Sequence, residues 1–309
     1  MKQDLLSFKD WTPDQLHNLL ALAKTIKNNP SGYRMALDGL SIVALFEKPS
    51  LRTRVSFDIG INKLGGHLVY LDTQSNKLTG REDVKDMGAN LACWADAIVA
   101  RVFAHSTLEE LAKSAKVPVI NALCDLYHPC QALADYLTIS EQYDDLSNVK
   151  LAYIGDGNNV THSLMLMGVA LGCEIVVITP QGYEVDEHII KLTQARAQQF
   201  GGKLTVSTDI SAANGSQILY TDTWVSMGDT TPLGDIKDTF SGYEINEALM
   251  EKTGAEYVLH CQPAHRDLEI SGSLIDSDAS LLMQQAENRM HAQNAILVQL
   301  LASDFEPIN

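Results

Sequence analysis

The 309-residue chain is poor in cysteine, in aromatic side chains and in positive charge. Its five cysteines, Cys93, Cys124, Cys130, Cys173 and Cys261, are odd in number, and no two form a Cys-x-x-Cys pair. That argues against a cysteine metal framework and a disulfide-stapled scaffold, and predicts a reducing, cytoplasmic compartment. Lysine and arginine number 23 against 39 aspartates and glutamates, a net charge of −16. The acidic residues are spread along the chain and form no tail. A phosphate backbone needs a basic footprint, so a nucleic-acid partner is not expected. No apolar run approaches the roughly 20 residues of a membrane span. The opening MKQDLLSFKDWTPDQ is charged throughout, which predicts neither a secretory leader nor a membrane association. What remains is an ordinary globular composition, 45% hydrophobic and 20% charged, in a chain long enough for about two domains.

The first clear element is a helix from Pro13. Thr12 can cap it and Gln15 completes a capping box, with Leu16, Leu19, Leu20, Ala23 and Ile26 on one face. Apolar runs of strand type then alternate with helical segments. The strands expected are Ser41–Phe46, His67–Leu71, Ala97–Arg101, Pro118–Leu123, Lys150–Ile154, Glu174–Thr179, Lys203–Ser207, Gln217–Asp222 and Glu256–Cys261. Near-continuous apolar strands alternating with helices predict an α/β protein whose parallel sheets are covered on both faces. A helix from Pro129 to Tyr143 is followed by the break Asp144-Asp145-Leu146-Ser147-Asn148, where the domain boundary is placed. This gives a first domain over 1–145, a second over 146–280, and a tail over 281–309 whose helix packs back on the first.

In open parallel sheets ligands bind beyond the carboxyl ends of the strands, so the residues after each strand carry the chemistry. Ser41–Phe46 is followed by Ser50, Leu51, Arg52, Thr53 and Arg54 at a helix start. Free amides, the helix dipole, two hydroxyls and guanidinium groups suit a phosphate there, although the same pattern also serves as a plain capped helix start. Arg101 ends the Ala97–Arg101 strand, either as a surface or ion-pair residue or as a second anion or carbonyl ligand. His128 and Gln131 share one face of a first helical turn and can polarise a carbonyl or hold an amide. Gly155-Asp156-Gly157-Asn158-Asn159 resembles a dinucleotide loop but breaks the G-x-G-x-x-G pattern at Val160, and no acidic residue follows the next strand. NAD is therefore disfavoured. Asp222 and Ser226 can hold an ammonium and a carboxylate, the two ends of an amino acid, though an aspartate there is often a helix cap. Cys261 ends the last strand and can assist proton removal from an amine or simply pack.

Taken in order, five segments resemble the motifs of the aspartate/ornithine carbamoyltransferase family. Ser50-Leu51-Arg52-Thr53-Arg54 resembles its S-T-R-T-R, His128-Pro129-Cys130-Gln131 its H-P-x-Q, and Asp222 to Gly228 its D-x-W-x-S-M-G. His260-Cys261-Gln262-Pro263 resembles H-C-L-P, and Glu287-Asn288-Arg289 resembles E-N-R. The resemblance runs from about Leu45 to Leu301. It implies two doubly wound parallel-sheet domains, one for carbamoyl phosphate and one for ornithine, joined by interdomain helices. It further implies that Ser50, Leu51, Arg52 and Thr53 hold the phosphate. Arg101, His128 and Gln131 would then hold the carbamoyl group, with Arg289 supporting the carbonyl or phosphate side. Asn159, Asp222, Ser226, Met227, Cys261 and Gln262 would hold L-ornithine, with Cys261 near the reacting amine. Lys77 or Arg81 would reach the site of a neighbouring subunit in a homo-oligomer built on trimers.

Neither metal nor organic cofactor is implied. The reaction would yield citrulline and phosphate within arginine metabolism, faster at mildly alkaline pH because the amine must be neutral. Leu51 departs from the family's Thr and Gln262 from its Leu. Relatives acting on N-acetylornithine share S-L-R-T-R but lack the G-D-G-N-N and D-x-W-x-S-M-G pair. That favours free ornithine over N-acylornithine, putrescine or aspartate.

Overall fold

The computed structural model describes residues 2–72, 82–224 and 232–308. Helix α1 (Pro13–Asn28) starts on a reciprocal capping box, in which the Gln15 amide donates to Thr12 Oγ1 and the Thr12 amide donates to Gln15 Oε1. The five predicted apolar residues of α1 are its buried face. The chain continues through β1 (Ser41–Phe46), α2 (Leu51–Lys63), β2 (His67–Asp72), α3 (Val84–Leu91), β3 (Ala97–Arg101), α4 (His105–Ser114), β4 (Val119–Leu123) and α5 (Pro129–Ser140). The second half runs β5 (Lys150–Ile154), α6 (Asn159–Ala170), β6 (Glu174–Ile178), α7 (Glu187–Phe200), β7 (Lys203–Ser207), β8 (Ile218–Thr221), α8 (Leu233–Thr239), α9 (Glu247–Thr253), β9 (Tyr257–His260), α10 (Gly272–Ile275) and α11 (Leu282–Leu301). Every predicted strand forms, each within a residue of its expected ends.

Two compact units result. Residues through Leu133, together with Arg289 onward, make the first, and Ala134–Asn288 the second. The first holds a sheet of order β2-β1-β3-β4 and the second one of order β7-β6-β5-β8-β9. All strand pairs in both are parallel. Central strands are buried along nearly their whole length, as expected of sheets covered on both faces.

The Asp144–Asn148 break follows the end of α5. It forms one 3-10 turn, Leu146–Asn148, capped by Asp145, inside the second unit. The chain passes from one unit to the other within α5, because the side chains after Leu133 pack on second-unit strands and helices. Tyr136 Oη donates to the Leu164 carbonyl, and Tyr220 Oη donates to Asp135. It returns within α11, whose Gln285 and Asn288 hold Asp135 and Thr138, whereas Arg289 holds Thr53.

Strand order fixes where each unit can bind a ligand. In the first sheet the winding reverses between β1 and β3, which leave the sheet side by side with Phe46 opposite Arg101. In the second it reverses between β5 and β8, where Tyr153 stands opposite Tyr220.

Candidate active site

In the first unit, Ser50 caps α2: its Oγ accepts the Thr53 amide and donates to Thr53 Oγ1. By the geometry of a helix start, the amides of Leu51 and Arg52 have no carbonyl four residues back, so they face the mouth of the helix. Arg289 reaches the same turn and donates from Nη2 to Thr53 Oγ1 at 2.9 Å. Arg101 arrives from β3 just where the β3–β4 register slips, with Ala100 opposite Asn121 but Arg101 opposite Leu123. A bulge of this kind re-aims the side chain beside it. The β1 loop is tied to the same strand end, since the Glu47 amide donates to the Arg101 carbonyl and Glu47 Oε2 accepts the Phe103 amide.

This half-site concentrates positive charge in an acidic protein. Arg101 and Arg289 are both buried, and Arg101 Nε has no hydrogen-bond partner among the described residues. Burial, and then the charge of Arg289, bring the Arg101 guanidinium down to about 10. Burial and then Arg101 also lower the Lys48 ammonium. His128 and Gln131 lie buried at the start of α5. Burial, followed by Arg289 and Arg101, drives the His128 imidazole well below 6.5, so it is neutral at pH 7. Like charges repel, so a buried group of this kind is stabilised by an anion entering among them. Cys130, between His128 and Gln131, is inert, its thiol raised to about 12 by burial.

Two residues of the first motif behave differently from its core. Arg54 places its guanidinium 4.0 Å over the Tyr70 ring. The Leu51 side chain is 77% exposed, so its contribution to the turn is its amide. Replacement of the family's Thr therefore removes no hydroxyl that packs within this unit.

In the second unit, Asp222 follows β8 and its carboxylate is the hub. Oδ1 accepts the Cys261 thiol at 2.7 Å and the Thr223 amide, and Oδ2 accepts Asn158 Nδ2 at 3.0 Å. Asn158 also caps α6 by accepting the Val160 and Thr161 amides. Asn159, expected to hold the amino-acid end of the acceptor, is the first residue of α6, and its neighbour Asn158 joins that cap to Asp222. Gly157 is required for a different reason from a phosphate loop. A Cβ there would stand 2.4 Å from the Val185 amide nitrogen, so the turn is a close backbone approach.

Cys261 follows β9, and Gln262 after it has φ +60°. His260, to which no local motif assigns a role, has its ring fully buried between Glu269 and the Gln262 amide. Asp222, His260 and Cys261 each bring one donor atom within 4.8 Å of the others. That set has zinc-type chemistry. Both ring nitrogens of His260 are already hydrogen-bonded, however, so a metal would have to break one of those bonds. Lys77, Arg81, Ser226 and Met227 lie outside the described residues.

Comparison with known proteins divides the chain at the Asp144–Asn148 break. Residues 3–141 match the carbamoyl-P binding domain of aspartate/ornithine carbamoyltransferase, and 147–300 match its Asp/Orn binding domain. The chain belongs to the aspartate/ornithine carbamoyltransferase family. An ornithine carbamoyltransferase of Shewanella oneidensis is 58% identical over 297 residues, covering 96% of this chain and 99% of that protein. One from a Vibrio species is 58% identical over 97% of this chain and 99% of its own length. The solved ornithine carbamoyltransferase of Pyrococcus furiosus superposes with a TM-score of 0.94 at 41% identity, covering 99% and 98% of the two chains.

Proposed function

We propose that this carbamoyltransferase moves the carbamoyl group of carbamoyl phosphate to the δ-amine of L-ornithine, giving L-citrulline and phosphate. Ser50, Thr53, Arg52 and the amides of Leu51 and Arg52 take the phosphate, using the helix dipole and charge-assisted hydrogen bonds. Arg101, His128 and Arg289 lie on the carbonyl oxygen, and Gln131 holds the carbamoyl amide. The neutral amine attacks the carbonyl carbon, and the oxygen takes up negative charge in the tetrahedral intermediate. Arg101 and Arg289, already charged and buried, stabilise that charge without rearranging, while neutral His128 serves as a hydrogen-bond donor. The C–O bond to phosphate then breaks and phosphate leaves with the electron pair. The proton lost by the amine passes toward the Cys261–Asp222 pair. Positioning and electrostatics account for the rate.

The observation that carries the choice of acceptor is Asp222, a buried carboxylate facing Asn158 and Cys261 at the switch point of the second sheet. A carboxylate suits an acceptor with an α-ammonium. It repels the second carboxylate of aspartate and finds no cation on N-acylornithine. Asn159, Ser226, Met227 and Gln262 complete the proposed ornithine contacts. The enzyme is assigned to the cytoplasm and to arginine biosynthesis; all five cysteines are thiols, in keeping with a reducing compartment. No helix among the described residues is long and apolar enough to cross a membrane. It is further assigned to a homotrimer or a multiple of one, with Lys77 contributed in trans. The apolar ridge Leu51, Val55 and Ile59, exposed at four-residue spacing along α2, supports self-association.

The test is carbamoylation of L-ornithine, N-acetylornithine, putrescine and aspartate in parallel. Strong turnover of ornithine alone is expected. Turnover of N-acetylornithine or aspartate instead would overturn the role given to Asp222, and preference for putrescine would mean that no group holds the α-carboxylate.

A further inference from the structure

His260 sits at a crossing of buried hydrogen bonds. Its main-chain amide donates to Gln285 Oε1 at 3.0 Å, and Gln285 Nε2 is held in turn by Asp135 Oδ1 at 2.6 Å. Its ring Nδ1 accepts the Gln262 amide at 2.9 Å, so that nitrogen carries no proton. The proton is therefore on Nε2, which donates to Glu269 Oε1 at 3.1 Å. The same carboxylate oxygen accepts the His265 amide. His260 and Glu269 are both fully buried.

The residue pinned by Nδ1 is the one that most needs it. Gln262 has φ +60°, a region that a side chain with a Cβ seldom occupies unless its surroundings impose it. Gln262 directly follows Cys261, whose thiol is 2.7 Å from Asp222.

We propose that His260 is a positioning residue for carbamoyl transfer: its neutral ring, oriented by Glu269, pins the main chain at Gln262 and thereby aims the Cys261 thiol at Asp222. The ring acts through its lone pair on Nδ1 and exchanges no proton with the thiol. Glu269 fixes which nitrogen carries the hydrogen. The proposal rests on the ornithine carbamoyltransferase reading above.

Four variants of the full-length enzyme test it. Asparagine places Oδ1 close to where Nδ1 stands, whereas glutamine reaches toward Glu269 and leaves the Gln262 amide unanswered. His260→Ala is expected to lower kcat about a hundredfold, the scale of a misplacement of about 1 Å, with the carbamoyl phosphate KM within about twofold of wild type. His260→Asn should regain most of that loss, and His260→Gln should not. Glu269→Gln should lower kcat less than His260→Ala and leave the midpoint of the pH–rate profile in place. Thermal melts accompany each variant, and if His260→Ala does not fold, the contrast between Asn and Gln decides. Rescue by Gln but not by Asn would overturn the proposal, as would a full-rate His260→Ala. A shift of the pH midpoint in Glu269→Gln would replace the pin with a proton relay. Wild-type enzyme that makes no citrulline in the same assay would instead remove the functional reading on which the proposal stands.

Discussion

Arg101, Arg289 and His128 owe their chemistry to burial. Two guanidiniums placed where water is scarce lose solvation and repel one another, and together they lower the neighbouring imidazole. For His128 this has a consequence for stability. The folded protein keeps the ring neutral well below its ordinary 6.5, while the unfolded chain protonates it there. The unfolded state then binds more protons, so stability falls as pH falls through and below that value. His128→Asn should therefore lose less melting temperature than wild type between neutral and mildly acidic buffer. An equal loss in both proteins would show that His128 is not buried in its neutral form. The motif residues were visible in the sequence because they follow strands, but their electrostatics were not. A strand-end arginine reads equally as a surface ion pair in sequence; the β3–β4 register shift and the charge of Arg289 distinguish Arg101 in the fold.

Elements give adjacent residues different tasks. Gly155-Asp156-Gly157-Asn158-Asn159 marks a strand-to-helix turn in the sequence, and the apolar alternation locates it correctly. Recognising Asn158 as the cap requires the helix phase, because the residue just before the first turn is the one whose side chain can cap it. Asn158 spends Oδ1 on α6 and Nδ2 on Asp222. Asn158→Ala removes both, so it should cost about 1 kcal/mol of stability and raise the ornithine KM while leaving that of carbamoyl phosphate unchanged. A rise in both KM values would contradict the separation of roles. Glu269 and His260 escaped the sequence reading for another reason. Nothing in local spacing reveals that a carboxylate nine residues on folds back against a ring at a strand end. Likewise, a turn-rich stretch shows where α5 stops, but only packing shows that α5 changes units earlier, after Leu133.

At the scale of the whole molecule, the alternation of strands and helices was enough to predict two parallel sheets, and strand order then supplied one switch point in each. The first collects cationic groups and helix amides, and the second a carboxylate with a thiol, so each unit is matched to one substrate of opposite character. The exposed ridge on α2 belongs to this scale too. Leu51, Val55 and Ile59 are 77%, 43% and 46% exposed, an arrangement that favours burial against another copy. If the ridge joins copies of the chain, Ile59→Glu, which places a charge in it, leaves single chains in light scattering where the wild type is larger. An unchanged mass would move the interface elsewhere.

On this reading the first unit holds carbamoyl phosphate and the second recognises the amine. Calorimetric titration of carbamoyl phosphate into wild type, Arg289→Gln and Asp222→Asn, with citrulline formation measured alongside, tests it most directly. Citrulline formation should be lost in both variants, with carbamoyl phosphate binding lost in Arg289→Gln and retained in Asp222→Asn. Loss of that binding in Asp222→Asn, or its survival in Arg289→Gln, would contradict the account.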